Sequence, residues 1–216
     1  MKNMAAESLK ALILNCSLKK SPETSNTDAL LDEVVKFFDQ EGVSTERLRL
    51  ADFNIAHAME MDAGDGDEWP QIAEKILASD ILIIGTPVWM GEKSSYAVKA
   101  IERIYAGSSE TNEKGQYIYY NRVGGVVVTG NEDGAKNSAR SILYSLSHMG
   151  FTVPPNADTY WVGTAGPGPS FIDADGTQND FTMQHAKIMA YNLVHFARML
   201  KTNPIPEKGT RLEKPE

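Results

Sequence analysis

The amino-acid sequence predicts an α/β fold in which helices cover both faces of a parallel sheet. Five short apolar runs alternate with segments whose apolar residues recur at helical spacing, the pattern of repeated β–loop–α units. The clearest apolar runs also lead directly into polar or glycine-rich residues and then into a helix start. The predicted strands are residues 10–15, 45–50, 80–86, 123–129 and 159–162.

A predicted helix follows each of these strands. The first is capped by Thr27 or Asn26, carries an apolar stripe, and stops at Gly42. Gly150 ends the fourth, since glycine readily takes the left-handed conformation that terminates helices. The fifth is apolar over much of its circumference and is expected to contact a partner subunit. The other four helices are predicted over about residues 69–78, 94–105, 135–149 and 180–200.

Length and composition indicate a single domain. The chain has 216 residues, 42% of them hydrophobic, which is enough for one substantial core. We assign residues 1–201 to this domain and 202–216, which contain three prolines, to an extended C-terminal tail. A formal charge of -8 argues against a protein that wraps nucleic acid, which would need clustered cations.

Cysteine, histidine and hydropathy patterns exclude several further classes. Cys16 is the only cysteine, so no disulfide framework or cysteine-based zinc site forms within one chain, and the four histidines lack metal-ligand spacing. We therefore expect no metal. No apolar segment is long enough to span a bilayer and no signal core precedes Leu9, so a cytoplasmic protein without membrane contact is expected.

The loop after the first strand has the residues of a phosphate site. Ser17, Lys19, Ser25, Asn26 and Thr27 offer polar groups beside a helix start, whose unpaired N–H groups and positive end favour an anion. An ordinary N-cap loop is the alternative, because Ser, Thr and Asn are common helix starters. No GxxxxGK[ST] or GxGxxG motif supports a nucleoside triphosphatase or a Rossmann dinucleotide site.

The loop after the third strand suits a flat aromatic ligand. It consists of Pro87, Val88, Trp89, Met90 and Gly91. Proline fixes its own backbone, glycine permits an unusual turn, and the loop can offer N–H groups and an indole ring to a planar heterocycle. Alternatively, the tryptophan and methionine simply cap the core.

The loop after the fourth strand can hydrogen-bond the polar edge of the same ring. Its acidic residues are also ordinary compensation for a helix dipole, so they do not identify a ligand by themselves. The candidate residues are Thr129, Gly130, Asn131, Glu132, Asp133 and Gly134.

Three inserted stretches and one cysteine are further candidates for functional roles. Residues 54–68, 107–121 and 163–179 are long for loops of a compact domain, and the glycine- and proline-rich third is expected to be a lid or subunit contact. Cys16 adjoins the first loop, where a buried packing role is favoured over a reactive thiol.

Taken in order, the three loops resemble those of the flavodoxin-like FMN proteins, specifically the branch of NAD(P)H-dependent FMN reductases and multimeric flavodoxins. The resemblance extends from Lys10 to about Val162. The first loop is similar to the family's phosphate loop, the second to its isoalloxazine loop and the third to its third flavin loop. Lys99 and Arg103 match residues that fix the helix after the second loop. The closely spaced cysteines of iron–sulfur relatives are absent from this sequence.

This resemblance implies a flavodoxin-like three-layer α/β/α sandwich with strand order 2-1-3-4-5. It also implies FMN as cofactor and NAD(P)H as co-substrate. The apolar fifth helix and the glycine- and proline-rich third insertion predict a subunit interface near the flavin, and hence a homodimer or homotetramer. The expected reaction passes hydride from the nicotinamide to FMN N5 and then electrons to a quinone or another small-molecule acceptor. The flavin supplies the reactive atoms in such a site, so no catalytic side chain is assigned. The alternatives are an FMN-binding electron carrier without efficient nicotinamide turnover, and a flavin-free assembly or regulatory protein.

Overall fold

The computed structural model describes residues 8–166 and 168–212. Over these residues the chain forms six strands and five α-helices, with three short 3-10 turns between them. The strands are β1 (Lys10–Asn15), β2 (Ser44–Arg49), β3 (Ile81–Trp89), β4 (Glu92–Lys93), β5 (Val123–Thr129) and β6 (Asp158–Trp161). The helices are α1 (Asn26–Gln40), α2 (Trp69–Leu77), α3 (Ser95–Tyr105), α4 (Ala135–His148) and α5 (Asp180–Thr202).

The main sheet has the order β2-β1-β3-β5-β6, with every neighbouring pair parallel. This confirms the predicted order 2-1-3-4-5, because β5 and β6 are the fourth and fifth strands of the prediction. β3 runs to Trp89 rather than ending at Thr86, since its ladder with β5 continues to the pair Pro87 and Thr129. The two-residue strand β4 pairs antiparallel with the end of β3 and was too short to predict.

Alternating residues of the strands divide the core into two layers. In β1, Leu12 and Leu14 face the layer under α2, α3 and α4, whereas Ala11 and Ile13 face the layer under α1 and α5. A parallel sheet covered on both faces needs this continuous apolar sequence. The three-layer α/β/α sandwich is therefore as predicted.

The helix limits agree with the sequence to within a few residues, with one difference at the start of α1. The cap of this helix is Ser25, not Asn26 or Thr27, because the Ser25 hydroxyl accepts a hydrogen bond from the Asp28 N–H. The buried face of α5 packs against the sheet and α1. Its larger exposed apolar side chains are Phe181, Tyr191 and Met199.

A buried ion pair holds the first insertion against α3. Arg103 and Asp67 side chains are 0% and 1% exposed and lie 2.6 Å apart. Arg103 also donates to the Ala56 and Met61 carbonyls, and Lys99 donates to the Ile55 carbonyl at 2.9 Å. These two cations of α3 thus position the first insertion.

The second insertion carries the C-terminal segment. The buried Gln116 side chain donates to the carbonyls of Ile205 and Pro206 and to the Thr210 hydroxyl. Leu212 N–H donates to the Gly115 carbonyl at 2.8 Å. The segment that follows α5, for which the sequence suggested an extended tail, packs on this insertion as far as residue 212.

Candidate functional site

The three predicted loops meet in one cavity at the carboxyl ends of β1, β3 and β5. The strand order reverses between β1 and β3, and this point is the usual ligand crevice of an open parallel sheet. The lining residues are Ser17, Leu18, Lys19, Thr24, Ser25, Asn26, Thr27, Pro87, Val88, Trp89, Thr129, Gly130, Asn131, Ser170 and Phe171. Eleven of them were predicted; Leu18, Thr24, Ser170 and Phe171 were not.

The remaining predicted residues, Met90, Gly91, Glu132, Asp133 and Gly134, lie beside the cavity rather than in its wall. Four of them, Met90, Gly91, Glu132 and Gly134, connect the second and third loops to each other, whereas Asp133 accepts a hydrogen bond from the neighbouring Gly134 N–H.

Asn15, at the end of β1, organises the first loop. Its side-chain oxygen accepts from the Ser17 N–H at 2.9 Å, and its amide nitrogen donates to the Ser25 hydroxyl at 3.4 Å. The Ser17 hydroxyl in turn accepts from the Lys19 N–H at 3.3 Å. Asn15 was not among the predicted site residues, because the sequence places it as the last residue of a strand. A polar residue that ends a buried strand was the available signal.

Lys19 is the cationic side chain of the cavity wall, and its ammonium donates to the Thr24 carbonyl at 3.1 Å. The nearby Arg49 is engaged elsewhere, in an ion pair with Asp28 and in hydrogen bonds to the loop carbonyls of Lys20 and Glu23. The positive charge that faces the cavity is therefore small and local.

A second anchor fixes the middle of the first loop. Ser21 donates to Asp52 through its N–H at 2.8 Å and through its hydroxyl at 2.6 Å. These hydrogen bonds hold the pKa of Asp52 below its usual range. Together with Arg49, Asp52 closes the loop against the end of β2.

The first and third loops are joined by two residues of the cavity wall. The buried hydroxyls of Thr27 and Thr129 share a 2.7 Å hydrogen bond across 102 residues of sequence. Each hydroxyl is the hydrogen-bond partner of the other, and a buried hydroxyl without a partner would destabilise the fold. The pair fixes the start of α1 against the end of β5.

Ser94 joins the first loop to the second. Its hydroxyl donates to the Cys16 carbonyl at 2.6 Å and accepts from the Ala97 N–H at 3.2 Å, so it also caps α3. Its N–H donates to the Thr86 hydroxyl at 3.0 Å. The sequence predicted Ser94 as a helix start but not its contact with the first loop.

The tip of the second loop is held with two apolar side chains in solvent. Trp89 is 56% exposed and Met90 is 90% exposed, so neither caps the core. Met90 has a φ of 51°, a left-handed backbone that is uncommon for this residue type, and its N–H donates to Glu132 at 2.8 Å. Glu132 of the third loop therefore stabilises the conformation of the second.

The second and third loops approach so closely that only glycine fits at two positions. A Cβ added to Gly134, whose φ is +113°, would lie 2.3 Å from the Gly91 Cα. A Cβ at Gly130 would lie 2.2 Å from Cγ1 of Val88. Asn137 adds a hydrogen bond to the Gly91 carbonyl at 3.0 Å. The two loops thus form one rigid wall.

A segment of the third insertion, residues 168–176, closes one side of the cavity and is called the strap below. Asn131 donates to the Gly168 carbonyl at 2.9 Å, and the Ile172 N–H donates to the Asn26 side chain at 2.9 Å. Between these tethers, Ser170 and Phe171 line the cavity. The sequence pointed to this insertion but not to its individual contacts.

Cys16 faces the interior, not the cavity. It is fully buried, and desolvation raises the pKa of its thiol well above the ordinary range. Its Sγ lies 3.7 Å from the Leu14 carbonyl oxygen, which it approaches as a weak donor. This environment fits the packing role and opposes nucleophilic chemistry.

The donor set fits a ligand with an anionic end and a flat apolar body. The first turn of α1, the hydroxyls and one lysine suit a phosphate monoester. Val88, Trp89 and Phe171 offer apolar surface beside backbone polar groups of the other loops. Within the described ranges, 8–166 and 168–212, no group of three or more His, Cys, Asp or Glu side chains could hold a metal ion.

A family model described as NADPH-dependent FMN reductase matches residues 9–165. The chain is 38% identical over 205 residues to the 8-demethyl-8-aminoriboflavin-5'-phosphate synthase of Streptomyces davaonensis, covering 91% of this chain and 80% of that protein. A crystal structure of RosB with a bound intermediate, 8-demethyl-8-formylriboflavin-5'-phosphate, superposes with a TM-score of 0.85 at 38% identity. That match covers 92% of this chain and 82% of the other.

A further relative is the divalent metal cation transporter MntH of Mycobacterium bovis, which is 43% identical over 215 residues. The match covers 97% of this chain but only 31% of the mycobacterial protein, so this chain spans less than a third of that length. Among the helices of the described residues, none has the length and apolar character needed to cross a membrane.

Proposed function

Because the chain belongs to the NADPH-dependent FMN reductase family, we propose that it is an FMN-dependent oxidoreductase that oxidises NAD(P)H and reduces a quinone or another small acceptor. One observation carries the proposal: all three loops that resemble flavin-binding loops converge on one cavity. When bound, FMN supplies the atom that takes up hydride and returns the electrons to the acceptor. The protein's own residues bind, orient and shield it.

The first loop would hold the phosphate. The N–H groups of the first turn of α1 and the positive helix end stabilise an anion there. Lys19 contributes one positive charge, and the hydroxyls of Ser17 and Thr24 stand on the same wall. Because Arg49 and Asp52 already fix this loop, little ordering is needed when the phosphate binds.

The second and third loops would hold the ring. Backbone N–H groups near Trp89 and Asn131 are the proposed donors to its polar edge, where they favour the negatively charged reduced form. The N–H groups of Met90 and Gly134 donate instead to Glu132 and Asp133, which restricts their use for the ring.

The rim of the cavity suits flat, apolar partners. Leu18 and Trp89 line the cavity, yet at least half of each side chain remains exposed. A nicotinamide or a quinone that stacks at this rim would remove their apolar surface from water, which favours binding. We propose this rim as the place where the two substrates alternate.

An absorbance experiment tests the proposal. The purified protein, soaked in FMN and freed of excess, should show flavin bands that bleach promptly under anaerobic NADPH or NADH. Bands that bleach only slowly with both nucleotides would indicate an electron carrier instead. A preparation that takes up no FMN would contradict the proposal.

A second candidate function treats the flavin phosphate as a substrate rather than a cofactor. The observation that favours it is the 38% identity, over most of both chains, to a protein named for making an aminoriboflavin phosphate. Mass spectrometry of the flavin released after incubation with oxygen and an amino-group donor separates the two candidates, since replacing a ring methyl by an amino group consumes both. An unchanged FMN mass supports the reductase, and a mass altered at the ring methyl supports flavin modification.

We also propose that the protein is a cytoplasmic homodimer or homotetramer. The exposed apolar residues Phe181, Tyr191 and Met199 along α5 support a subunit contact. Light scattering at micromolar concentration tests this, and a monomer would contradict it.

A further inference from the structure

The strap bounds the cavity at the end where a phosphate would bind. Ile172 N–H donates to Oδ1 of Asn26, the first residue of α1, so the strap is tied directly to the helix start. Phe171 and Ser170 line the same cavity as Thr24 and Ser25. A phosphate at the α1 N-terminus would therefore have the first loop on one side and the strap on the other.

The phenyl ring of Phe171 is fixed in this position. It packs edge-on against Trp161 with ring centroids 5.7 Å apart, and a Cβ at Gly176 would lie 2.2 Å from its Cδ2. The strap also folds back on itself, because Gly176 N–H donates to the Phe171 carbonyl and Ala174 N–H to the Ser170 carbonyl. On this side of the cavity, the packed Phe171 ring therefore has little room to move.

We propose that the strap sets the length of the ligand: it admits a flavin mononucleotide and excludes a flavin dinucleotide. This inference rests on the proposed flavin site. In FAD the phosphate carries a second phosphate and an adenosine, and this extension would have to leave the cavity where Phe171 and the Asn26 tether stand.

Charge alone cannot make this distinction. A phosphate monoester carries about -1.5 to -2 near pH 7, and a pyrophosphate diester carries two negative charges, so Lys19 and the helix end would attract both. Discrimination must come from shape, by a wall that clashes with the longer ligand. Phe171 offers no hydrogen bond to an anion, so its removal should affect the longer ligand more than the shorter.

Flavin titrations of the apoprotein test the inference. Dissociation constants for FMN and FAD are measured by fluorescence for the wild type, Phe171→Ala and Asn26→Ala. Ile172→Ala is the matched control, because it keeps the N–H of the tether and its side chain lies outside the cavity wall. Circular dichroism and thermal melts show which variants fold. If Phe171→Ala fails to fold, Asn26→Ala still tests the inference.

We expect the wild type and Ile172→Ala to prefer FMN by about 100-fold or more, and the other two variants to lose about tenfold of that preference through tighter FAD binding. Equal wild-type affinity for FMN and FAD would overturn the inference. An unchanged FMN/FAD ratio in the folded variants would also overturn it. A wild type that binds FMN leaves the proposed function standing in both cases, whereas one that binds neither flavin removes the proposed function together with the inference.

Discussion

The hydroxyl of Ser94 lies 2.6 Å from the carbonyl oxygen of Cys16 and donates a hydrogen bond to it. This single contact connects the end of β1 to the start of α3, so the first and second cavity loops share one anchor. The hydroxyl oxygen of Ser94 also accepts a hydrogen bond from the Ala97 N–H, which makes Ser94 the cap of α3. Loop position and helix stability therefore depend on one buried side chain.

Replacing this serine should weaken both the fold and the site. Ser94→Ala removes a helix cap and leaves a buried carbonyl unpaired, which should lower the free energy of unfolding by about 1–3 kcal/mol. FMN affinity should fall with it, because the two loops lose their common anchor. Urea denaturation and flavin titration measure these effects. Ser95→Ala, at the exposed neighbouring position, is the control, and equal behaviour of the two variants would contradict the role of Ser94.

The Thr27 and Thr129 hydroxyls should show strong energetic coupling. Thr27→Val or Thr129→Val alone leaves one buried hydroxyl without its partner, at a cost of about 1–3 kcal/mol each. The double variant removes both hydroxyls at nearly constant volume, so its cost should be smaller than the sum by about 0.5–3 kcal/mol. Urea denaturation of the four proteins completes the cycle. Additive single costs would show that the hydrogen bond does not join the loops energetically.

Much of the fold and of the cavity wall could be predicted from the sequence. Five strands, five helices and the three cavity loops follow from local patterns: apolar strands, capping residues and the glycines of the loops. The strand order followed instead from the resemblance to the flavodoxin-like proteins. The β–loop–α repeat places the loops at one edge of the sheet, which is why most of the cavity wall could be predicted.

The missed features depend on contacts between distant residues. Asn26 and Ile172 are 146 residues apart, and Gln116 meets Thr210 across 94. No local sequence pattern in the strap or the C-terminal segment predicts these hydrogen-bond partners. Asn15 and Ser94 were visible as a strand end and a helix cap. The Asn15 contact with Ser25 forms only when the first loop folds back, and the Ser94 contact with Cys16 forms only when the first and second loops meet.

The contact between Gly134 and Gly91 predicts a severe effect of one added methyl group. Gly134→Ala places its Cβ against backbone atoms that cannot move aside easily, so it should destabilise the protein by more than about 4 kcal/mol or abolish FMN binding. Gly42→Ala is the matched control: its φ of +69° is also left-handed, but nothing lies within 4 Å of the added carbon. It should cost only about 1–2 kcal/mol. Equal costs in thermal or urea unfolding would mean that backbone strain, not the close contact, limits position 134.

The buried pair of Asp67 and Arg103 should make stability pH-dependent. Burial alone would raise the pKa of Asp67, but hydrogen bonds from the N–H groups of Ala63 and Ala56 and from Arg103 hold it below its ordinary value of 3.8. Between the folded and unfolded pKa values the unfolded state binds more protons. The stabilisation that ionised Asp67 gives to the folded state is therefore present above about pH 4. It is lost as the pH falls through the lower folded pKa.

Asp67→Asn should remove this dependence and strand the guanidinium of Arg103. The expected loss is roughly 3–5 kcal/mol near neutral pH, shrinking as the wild type itself is titrated in acid. Unfolding free energies from pH 2 to 7 measure it, with the exposed Asp65→Asn as control. A constant difference between wild type and Asp67→Asn over the whole range would contradict the linkage.

The thiol of Cys16 should be chemically silent in the native protein. Burial raises its pKa well above the ordinary range, so almost no thiolate forms at pH 8, and the residue is fully buried. A disulfide reagent such as DTNB should therefore label the protein only after denaturation. Cys16→Ala should keep the rate of flavin reduction by NADPH and cost about 1 kcal/mol in stability. Prompt stoichiometric labelling of native protein, or loss of flavin reduction in a well-folded Cys16→Ala, would instead give this cysteine a part in the chemistry.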